Sequence, residues 1–330
     1  MKETDIRPAD MISQSKKLYA EDIAKILMAK ADFVRVACPA CASEHSQFVF
    51  EKSGFSYERC CDCRTLYVSP RPTMEMLAEH YQNSLMYDYW SENIYPISED
   101  VRRKSIFAPR ALRAVELCKQ HGLNGGLILD IGAGFGTFLQ EVDRIGFFEK
   151  CLAVEPTPKL AEACRKKGLL VQEELAENLK LESPADVITN FELIEHLFRP
   201  VEFLEQCHRL LKPGGLLLLT TPNILGFDLL VLGAASDNIA APNHINYFHP
   251  DSLRIIMKRA GFEVIETLTP GELDVDIVQN KIRAGEFQVT DQPFLQEVLV
   301  ERGDSIKREF QRFLAENQMS SHLWVVARRI

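Results

Sequence analysis

The sequence has no apolar run long enough to cross a membrane and no excess of positive charge. A membrane-spanning helix requires about 20 consecutive apolar residues, and no stretch approaches that length, so we expect no membrane span. The chain has 38 basic and 47 acidic residues, for a net charge of −9. This balance argues against a general binding surface for nucleic acids or anionic lipids.

The N-terminal segment also lacks the continuous apolar stretch of a secretory signal, so we expect no signal peptide and a cytoplasmic protein. In that setting, the nine cysteines of this 330-residue chain indicate reduced thiols and metal ligands rather than disulfides. The length suits one large domain and one small one.

Two cysteine pairs lie near the N-terminus, Cys38-Pro-Ala-Cys41 and Cys60-Cys61-Asp-Cys63. Each C-x-x-C turn directs two thiolates at one ion, and a strand hairpin between the pairs would bring both turns together. We therefore predict a zinc site with ligands Cys38, Cys41, Cys60 and Cys63. Reduced structural cysteines and a redox pair remain alternatives, and Cys61 could replace Cys60. Four thiolates leave no open position, so the ion would stabilise a small module rather than catalyse.

A glycine-rich turn lies at Leu127–Leu139, with the sequence LILDIGAGFGTFL. An apolar strand containing Asp130 is followed by Gly132, Gly134 and Gly136 and then by a helix-like run. Such a turn presents free backbone N–H groups and lets a ligand approach the main chain closely. A dinucleotide site uses G-x-G-x-x-G, whereas the pattern here is D-x-G-x-G-x-G. From this stretch alone, a nicotinamide-dependent Rossmann enzyme remains an alternative.

Strands and helices alternate regularly after this turn, as a doubly wound parallel sheet requires. Glu155 ends a short apolar strand about 20 residues past the glycine turn, where an acid can accept hydrogen bonds from both ribose hydroxyls. The motifs that follow are, in order, D-V-I from Asp186, E-x-x-E-H from Glu192, L-K-P-G-G from Leu211 and T-P-N from Thr221.

The order and spacing of these motifs resemble the class I S-adenosylmethionine (SAM)-dependent methyltransferases, although no single motif is specific. The resemblance implies an α/β, Rossmann-like, doubly wound seven-stranded sheet whose last strand is antiparallel. It implies SAM as cofactor. The acid at the strand end, Glu155, would bind the ribose, and the turn at Leu175-Ala176 would contact the adenine. The implied cofactor-binding residues are Tyr87, Asp130, Gly132, Ala133, Gly134, Glu155, Leu175, Ala176 and Asn190.

The resemblance also divides the chain. We expect a tail and helix at residues 1–34, a zinc ribbon at 35–72 and a helical cap at 73–123. The SAM-binding methyltransferase domain would then occupy residues 124–330, with a helical insertion at 272–319 before the last strand. This insertion could be a lid, a homodimer surface or inert packing, and the sequence does not choose among them.

The polar residues suited to catalysis are Glu192, Glu195, His196 and His244. An alcohol acceptor must lose a proton, and His244 is the preferred general base, with Glu192 and His196 as the other catalytic candidates. The E-x-x-E-H spacing would place its three polar side chains on one face of a helical turn. It resembles quinone-biosynthetic and small-RNA 2′-O-methyltransferases, in which this motif and a later histidine bind a divalent ion. Mg²⁺ or Mn²⁺ at all four residues is therefore one interpretation, and capping of the loop by Glu195 and His196 is the other.

The whole layout, rather than any residue, indicates the acceptor. We expect an oxygen, less readily a nitrogen or carbon, of a small polar molecule such as a sugar or a cell-surface polysaccharide precursor. One alternative is an RNA methyltransferase whose ribbon holds RNA, against which the acidic charge counts. Another is a non-catalytic protein that binds SAM or interacts through its zinc module.

Overall fold

The computed structural model describes residues 6–330, so the first five residues of the predicted tail lie outside the described residues. The chain forms two compact units. The first unit contains the stretch up to Met86 together with Thr221–Leu253 and Thr267–Trp324. The second contains Tyr87–Thr220, Arg254–Glu266 and Val325–Ile330. Because both units are assembled from separate stretches of chain, the predicted boundaries at 34, 72 and 123 remain predictions about sequence segments.

The elements are numbered here in chain order. The helices are α1 Ala9–Leu27, α2 Met74–Asn83, α3 Leu85–Tyr89, α4 Tyr95–Arg102, α5 Ala108–Gln120, α6 Thr137–Ile145, α7 Pro158–Lys166, α8 Pro200–Leu210, α9 Phe227–Leu232, α10 Pro250–Arg259, α11 Asp274–Arg283, α12 Pro293–Leu295 and α13 Asp304–Glu316. The strands are β1 Ser46–Lys52, β2 Phe55–Cys60, β3 Leu66–Val68, β4 Leu127–Ile131, β5 Lys150–Val154, β6 Leu170–Gln172, β7 Ala185–Phe191, β8 Leu211–Pro222, β9 Asn246–Tyr247, β10 Phe262–Leu268 and β11 His322–Arg329. Among residues 6–330, no helix is long and apolar enough to cross a bilayer.

The large sheet has seven strands in the order β10-β11-β8-β7-β4-β5-β6. The pairs that join β4 to β5, β4 to β7, β5 to β6 and β7 to β8 are all parallel. Strand β4 is central, and its Ile128 and Leu129 side chains are fully buried, as a parallel strand covered on both faces requires. The predicted Rossmann-like architecture is therefore confirmed.

The strand order reverses at β4, because β5 lies on one side of it and β7 on the other. In open α/β sheets, ligands bind beyond the carboxyl ends of the strands at such a switch point. The glycine turn leaves β4 at this position, between Ile131 and the start of α6 at Thr137. The fold thus places the turn where a ligand site is expected.

A small antiparallel sheet lies in the first unit, with strand order β1-β2-β3-β9. Strands β1 and β2 form the expected hairpin between the two cysteine pairs. The buried side chains of the small sheet include Phe55 and Tyr57 of β2 and Leu66 of β3. The fourth strand, β9, comes from a distant part of the sequence, after the T-P-N motif.

The insertion before β11 is helical and has its own apolar core. Helices α11 and α13 contribute Val275, Val278 and Leu314, which pack with Phe227 of α9. Within the insertion, the short helix α12 is followed by a π-helical turn at Gln296–Glu301. The insertion and α9 therefore share one apolar core.

Candidate functional site

The three glycines after β4 all adopt left-handed backbone conformations. The φ angles are 79° at Gly132, 55° at Gly134 and 70° at Gly136, a region that glycine enters at no steric cost. A Cβ at Gly136 would lie 2.7 Å from Leu169 Cδ1, whereas a Cβ at Gly134 would meet nothing within 4 Å. Packing therefore requires glycine at position 136, and the open space at Gly134 lets a ligand approach the main chain.

Asp130, the acid inside β4, is 4% exposed. Its Oδ1 accepts a hydrogen bond of 2.7 Å from Thr189 Oγ1. Burial raises the pKa of Asp130 to about 7, opposed by the Thr189 hydrogen bond and the Arg110 guanidinium. The carboxyl is therefore close to its protonation midpoint near neutral pH, and a cationic group of a ligand would favour its charged form.

Glu155 follows β5 and is buried beside the glycine turn. Its Oε2 accepts from the Gly134 N–H at 2.9 Å, and its Oε1 accepts from the Thr157 N–H at 3.0 Å. Burial raises its pKa, and these hydrogen bonds oppose the rise. Each carboxylate oxygen has a second lone pair, so Glu155 can hold the turn and still accept hydrogen bonds from hydroxyls.

Asn190 near the end of β7 is fully buried. Neither its side-chain oxygen nor its nitrogen has a hydrogen-bond partner among residues 6–330. Burying an amide without partners costs about 1–3 kcal/mol on the scale of protein mutations. The side chain therefore fits a site in which a polar ligand supplies the missing partners.

The predicted adenine turn follows β6 as a single 3₁₀ turn, Ala176–Asn178. Ala176 is buried, but Leu175 is 55% exposed, which leaves apolar surface for a flat ring. The glycine turn, Glu155 and Leu175 follow β4, β5 and β6, and Asn190 lies in the last two residues of β7. Because these strands are parallel, their carboxyl ends meet at one edge of the sheet, and the structure brings the predicted cofactor residues of this unit together.

The half-buried Tyr87 lies in α3. Burial raises the pKa of Tyr87, and the charge of Glu195 raises it further. The phenol and this carboxyl group are therefore close enough to interact electrostatically. This places Tyr87 near the E-x-x-E-H segment, while contact with a cofactor remains a prediction.

Sequence reasoning missed Tyr95, which stacks on Phe135 inside the glycine turn. The two ring centroids are 3.6 Å apart and the planes differ by 8°. The Tyr95 hydroxyl and Thr137 Oγ1 form a hydrogen bond of 2.6 Å, and Lys167 Nζ donates to the Phe135 carbonyl at 3.0 Å. These contacts fix the outer half of the turn. Only the aromatic content of the helical segment could have suggested Tyr95.

The E-x-x-E-H segment does not form the regular helical turn that the spacing predicts. Glu192 has a φ of 53° and lies before the only turn, Ile194–His196, which is 3₁₀. The expectation that Glu192 shares a helical face with Glu195 and His196 is therefore wrong. The left-handed residue reverses the chain before the turn begins. Glu192 Oε1 instead accepts from Thr220 Oγ1 at 2.7 Å.

Glu195 is buried, and its Oε1 lies 3.9 Å from His196 Nε2. Arg110, which sequence reasoning also missed, lies over the Phe191 ring with its Cζ 4.8 Å from the centroid. Burial lowers the pKa of Arg110, while the charges of Glu192 and Asp130 raise it. A cationic side chain therefore lies close enough to both Asp130 and Glu192 to interact with their charges.

His244 belongs to the first unit. Its Nδ1 lies 3.0 Å from the Asn238 carbonyl oxygen, and since a carbonyl only accepts, Nδ1 must carry the proton. The neutral ring then presents the lone pair of Nε2, which is the atom that can take a proton. This arrangement fits the predicted general base.

The four predicted metal ligands form a cluster in the first unit, with all four Sγ atoms within 4.8 Å of one another. Cys38 and Cys63 are 3.4 Å apart and Cys41 and Cys60 are 3.5 Å apart, measured between Sγ atoms. Tetrahedral zinc with Zn–S bonds of about 2.3 Å needs sulfurs about 3.8 Å apart, so the set fits zinc.

The hydrogen bond from Cys38 lowers the pKa of Cys63 to about 4, against the effect of burial. Cys61 is exposed and lies outside the cluster. Among the described residues, none of the nine cysteines forms a disulfide.

The sequence matches the family described as "Methyltransferase domain" over residues 102–267, half of the chain. It is 36% identical over 94 residues to a probable S-adenosylmethionine-dependent methyltransferase of Mycolicibacterium smegmatis, covering 28% of this chain and 35% of that protein. It is 33% identical over 166 residues to the ubiquinone biosynthesis O-methyltransferase of Maricaulis maris, covering 45% of this chain and 65% of that protein. The chain thus spans between a third and two thirds of the length of these curated relatives.

Among solved structures, the fold is similar to a SAM-dependent methyltransferase from Archaeoglobus fulgidus, with a TM-score of 0.49 and 19% identity over 72% of this chain and 100% of that chain. The matched family segment includes strands β4 to β9 and with them the glycine turn, Glu155 and Asn190. The chain therefore belongs to the class I SAM-dependent methyltransferases.

Proposed function

We propose that this protein transfers the methyl group of SAM to an oxygen of a small polar acceptor, such as a sugar or a polysaccharide precursor. The observation that carries the proposal is the fully buried Asn190 amide beside the glycine turn, which has no partner among the described residues. The name of the Maricaulis maris relative, an O-methyltransferase, supports oxygen as the methylated atom. The saccharide class rests on the resemblance of the whole layout.

The cofactor residues have distinct proposed roles. Glu155 would accept the ribose hydroxyls with the lone pairs that its two backbone hydrogen bonds leave available. Leu175 and Ala176 would cover the adenine, and Tyr87 would close the site from the helical segment. The Gly132-Ala133-Gly134 backbone, Asp130 and Asn190 would hold the amino-acid end. When bound, SAM supplies a methyl group on a sulfonium, which needs alignment with the acceptor and exclusion of water.

The acceptor hydroxyl must lose its proton as the methyl group is transferred. We propose His244 as the general base, because the Asn238 carbonyl holds its proton on Nδ1 and leaves Nε2 as the basic nitrogen. Glu192 and His196 would orient the acceptor. The alternative is Mg²⁺ or Mn²⁺ held by Glu192, Glu195, His196 and His244, which would lower the pKa of the acceptor hydroxyl.

A second ion, zinc, would be bound by the cysteine cluster (Cys38, Cys41, Cys60 and Cys63). The short distances between their Sγ atoms support this assignment. Four thiolates complete a tetrahedral shell, so this zinc would be structural. None of the nine cysteines forms a disulfide among the described residues, and we propose that the protein works in the cytoplasm.

The proposed reaction can be tested with SAM that carries a labelled methyl group. The purified protein is incubated with separated cell fractions: small metabolites and nucleotide sugars, polysaccharide, RNA and protein. We expect label in the first or second fraction. Label in RNA would replace the proposed acceptor by the RNA alternative, and label in no fraction would favour a protein that binds SAM without turnover. An Asn190→Ala variant serves as the negative control.

A further inference from the structure

The loop that carries His244 is part of the small sheet formed by the zinc-ribbon segment. Strand β9 pairs with β3 in antiparallel register, Leu66 opposite Tyr247 and Tyr67 opposite Asn246. The Val68 N–H donates to the Ile245 carbonyl at 3.0 Å. The residue after His244 is therefore hydrogen-bonded to the strand that begins three residues beyond Cys63. All of these residues lie in the first unit.

His249 connects this loop to a cysteine turn. Its Nε2 lies 2.8 Å from the Cys63 carbonyl oxygen, and its ring is buried. Because a carbonyl only accepts, Nε2 must be the donor, so the ring is held in one tautomer. The hydrogen bond ends on the backbone of a cysteine whose Sγ belongs to the cluster. A shift of the Cys63 turn would therefore displace His249.

Two further contacts tie the ribbon segment to the loop. The buried Arg71 donates from Nη1 to Asn246 Oδ1 at 2.9 Å. The Tyr57 hydroxyl of β2 accepts from the Ala241 N–H at 3.0 Å. The loop is thus attached to the same small sheet on both sides of His244.

Within the loop, hydrogen bonds then define the position of His244. Its N–H donates to the Ala240 carbonyl at 2.9 Å, and its carbonyl accepts from the Tyr247 hydroxyl at 3.0 Å. Together with the Asn238 contact to Nδ1, these bonds orient the backbone and the ring. Zinc at the cysteine cluster would stabilise a sheet too small to bury a large core, and the order of this loop would then depend on the ion.

We propose that zinc at the cysteine cluster positions the loop at residues 238–249, and that His249 is a positioning residue that joins Cys63 to the loop of His244. This inference rests on the proposed roles of zinc and His244. The zinc module is then part of the acceptor side of the enzyme, rather than an appendage for binding other macromolecules. Its loss would slow turnover while the cofactor residues of the second unit still bind SAM.

The first test compares His249→Leu with His249→Gln, which keeps an N–H donor at a similar reach. His45→Leu is the matched control, because His45 is an exposed histidine (side chain 83% exposed) in the same segment. Zinc content, SAM affinity, turnover and amide hydrogen exchange are measured for each variant. We expect His249→Leu to retain zinc and SAM binding, to exchange about tenfold faster at residues 238–249, and to lose about tenfold in kcat.

His249→Gln should recover most of the protection and turnover, and His45→Leu should match wild type. Exchange at 238–249 that is unchanged in His249→Leu would refute the positioning role. Loss of zinc from this variant would also refute it, because His249 would then act on the metal site itself.

The second test withdraws zinc from the wild-type protein with a chelator and restores it with zinc chloride. We expect exchange at residues 238–249 to accelerate on withdrawal and to recover on restoration, with residues 127–139 unaffected. Equal acceleration in both segments would contradict a selective effect of the ion. Normal turnover by His244→Ala would refute the proposed base alone, since the exchange measurements would still decide whether zinc orders the loop. If His244→Ala is inactive but exchange at residues 238–249 does not change when zinc is withdrawn, the positioning of the loop by zinc is refuted and the proposed base is not.

Discussion

The Gly134 N–H donates to Glu155 Oε2 at 2.9 Å, so the acid that follows β5 is bonded directly to the glycine turn that follows β4. One carboxylate therefore shapes the turn and faces the position proposed for the ribose. Its replacement should affect both the local backbone and the ligand. A variant series at this position can separate the two contributions.

We predict that Glu155→Ala weakens SAM binding by about 1–3 kcal/mol, because the ribose hydroxyls and the Gly134 N–H lose a charged acceptor. Glu155→Gln keeps one acceptor oxygen, so its affinity for SAM should lie between those of wild type and Glu155→Ala. Calorimetry provides the measurement, with Glu174→Ala as the control because Glu174 is exposed. NAD should not bind to any of these proteins. Binding of NAD without binding of SAM would overturn the family's expected cofactor for this chain.

Asn190 offers a prediction in which stability and binding move in opposite directions. Replacing the partnerless buried amide by leucine, of similar size, should stabilise the ligand-free protein by about 1 kcal/mol, since an uncompensated polar group is removed. The same change should abolish the thermal stabilisation that SAM confers through linkage. Thermal unfolding with and without SAM checks both effects.

Thr189→Val is the matched control on the same strand. It removes the hydroxyl that donates to Asp130, so it should lower stability. An Asn190→Leu protein that is destabilised and still binds SAM normally would show that the amide serves packing rather than a ligand.

Asp130 should make the stability of the protein depend on pH. Burial raises its pKa from 3.8 to about 7 in the folded state, so the unfolded chain releases this proton first as pH rises. The free energy of unfolding therefore falls between about pH 4 and pH 7. Asp130→Asn keeps an oxygen that can accept from the Thr189 hydroxyl, but its side chain does not titrate. Between about pH 4 and pH 7, its free energy of unfolding should therefore rise by about 1–3 kcal/mol relative to that of wild type.

Urea unfolding at pH 4.5, 6 and 8 measures this difference. Asp291→Asn, at an exposed position, should show no such trend. A stability difference between Asp130→Asn and wild type that stays constant over the three pH values would contradict the raised pKa.

Local motifs predicted that the glycine turn and Glu155 lie at strand ends, because each motif depends on neighbouring residues, and the family resemblance implied Asn190. The structure places the turn after β4, Glu155 after β5 and Asn190 near the end of β7, and their binding of SAM stays a prediction. The stack of Tyr95 on Phe135 was not predicted, because it joins segments whose contact depends on tertiary packing. The left-handed conformation of Glu192 was also missed, since a non-glycine residue gives no sign in the sequence that it will adopt a positive φ.

The loop of His244 shows the same limit. Its strand β9 has two residues, too few for an alternating pattern, and its partner β3 is far away in the sequence. Sequence reasoning could therefore predict the zinc ligands and the histidine separately. Only the tertiary structure shows that one small sheet links the segments that carry them.

The cysteine cluster should bind about one zinc per chain. The double variant Cys38→Ser/Cys63→Ser removes two of the four sulfurs, and metal analysis should find no zinc in it. Cys61→Ser is the control, because Cys61 is exposed and outside the cluster, and it should keep its zinc. A double variant that retains a full equivalent would refute the assignment.

His244→Ala should lower kcat by about 10²–10⁴-fold if the imidazole is the general base. SAM affinity should be nearly unchanged, because the proposed cofactor residues lie in the second unit. His45→Ala, at an exposed position, is the control and should turn over normally. The pH profile adds a second readout, since wild type should lose activity as the base becomes protonated and the variant should not show that limb.

The metal interpretation gives different results for the same reaction. If Mg²⁺ or Mn²⁺ is bound, Glu192→Ala, Glu195→Ala and His196→Ala should each match the defect of His244→Ala. A chelator too weak to strip the cysteine cluster should then abolish activity until the ion is restored. If His244 acts alone, that chelator has no effect, and Glu195→Ala mainly lowers stability because the loop loses the buried carboxylate proposed to cap it. Near-normal turnover by His244→Ala would refute both roles. Alignment of acceptor and methyl group would then have to account for the rate.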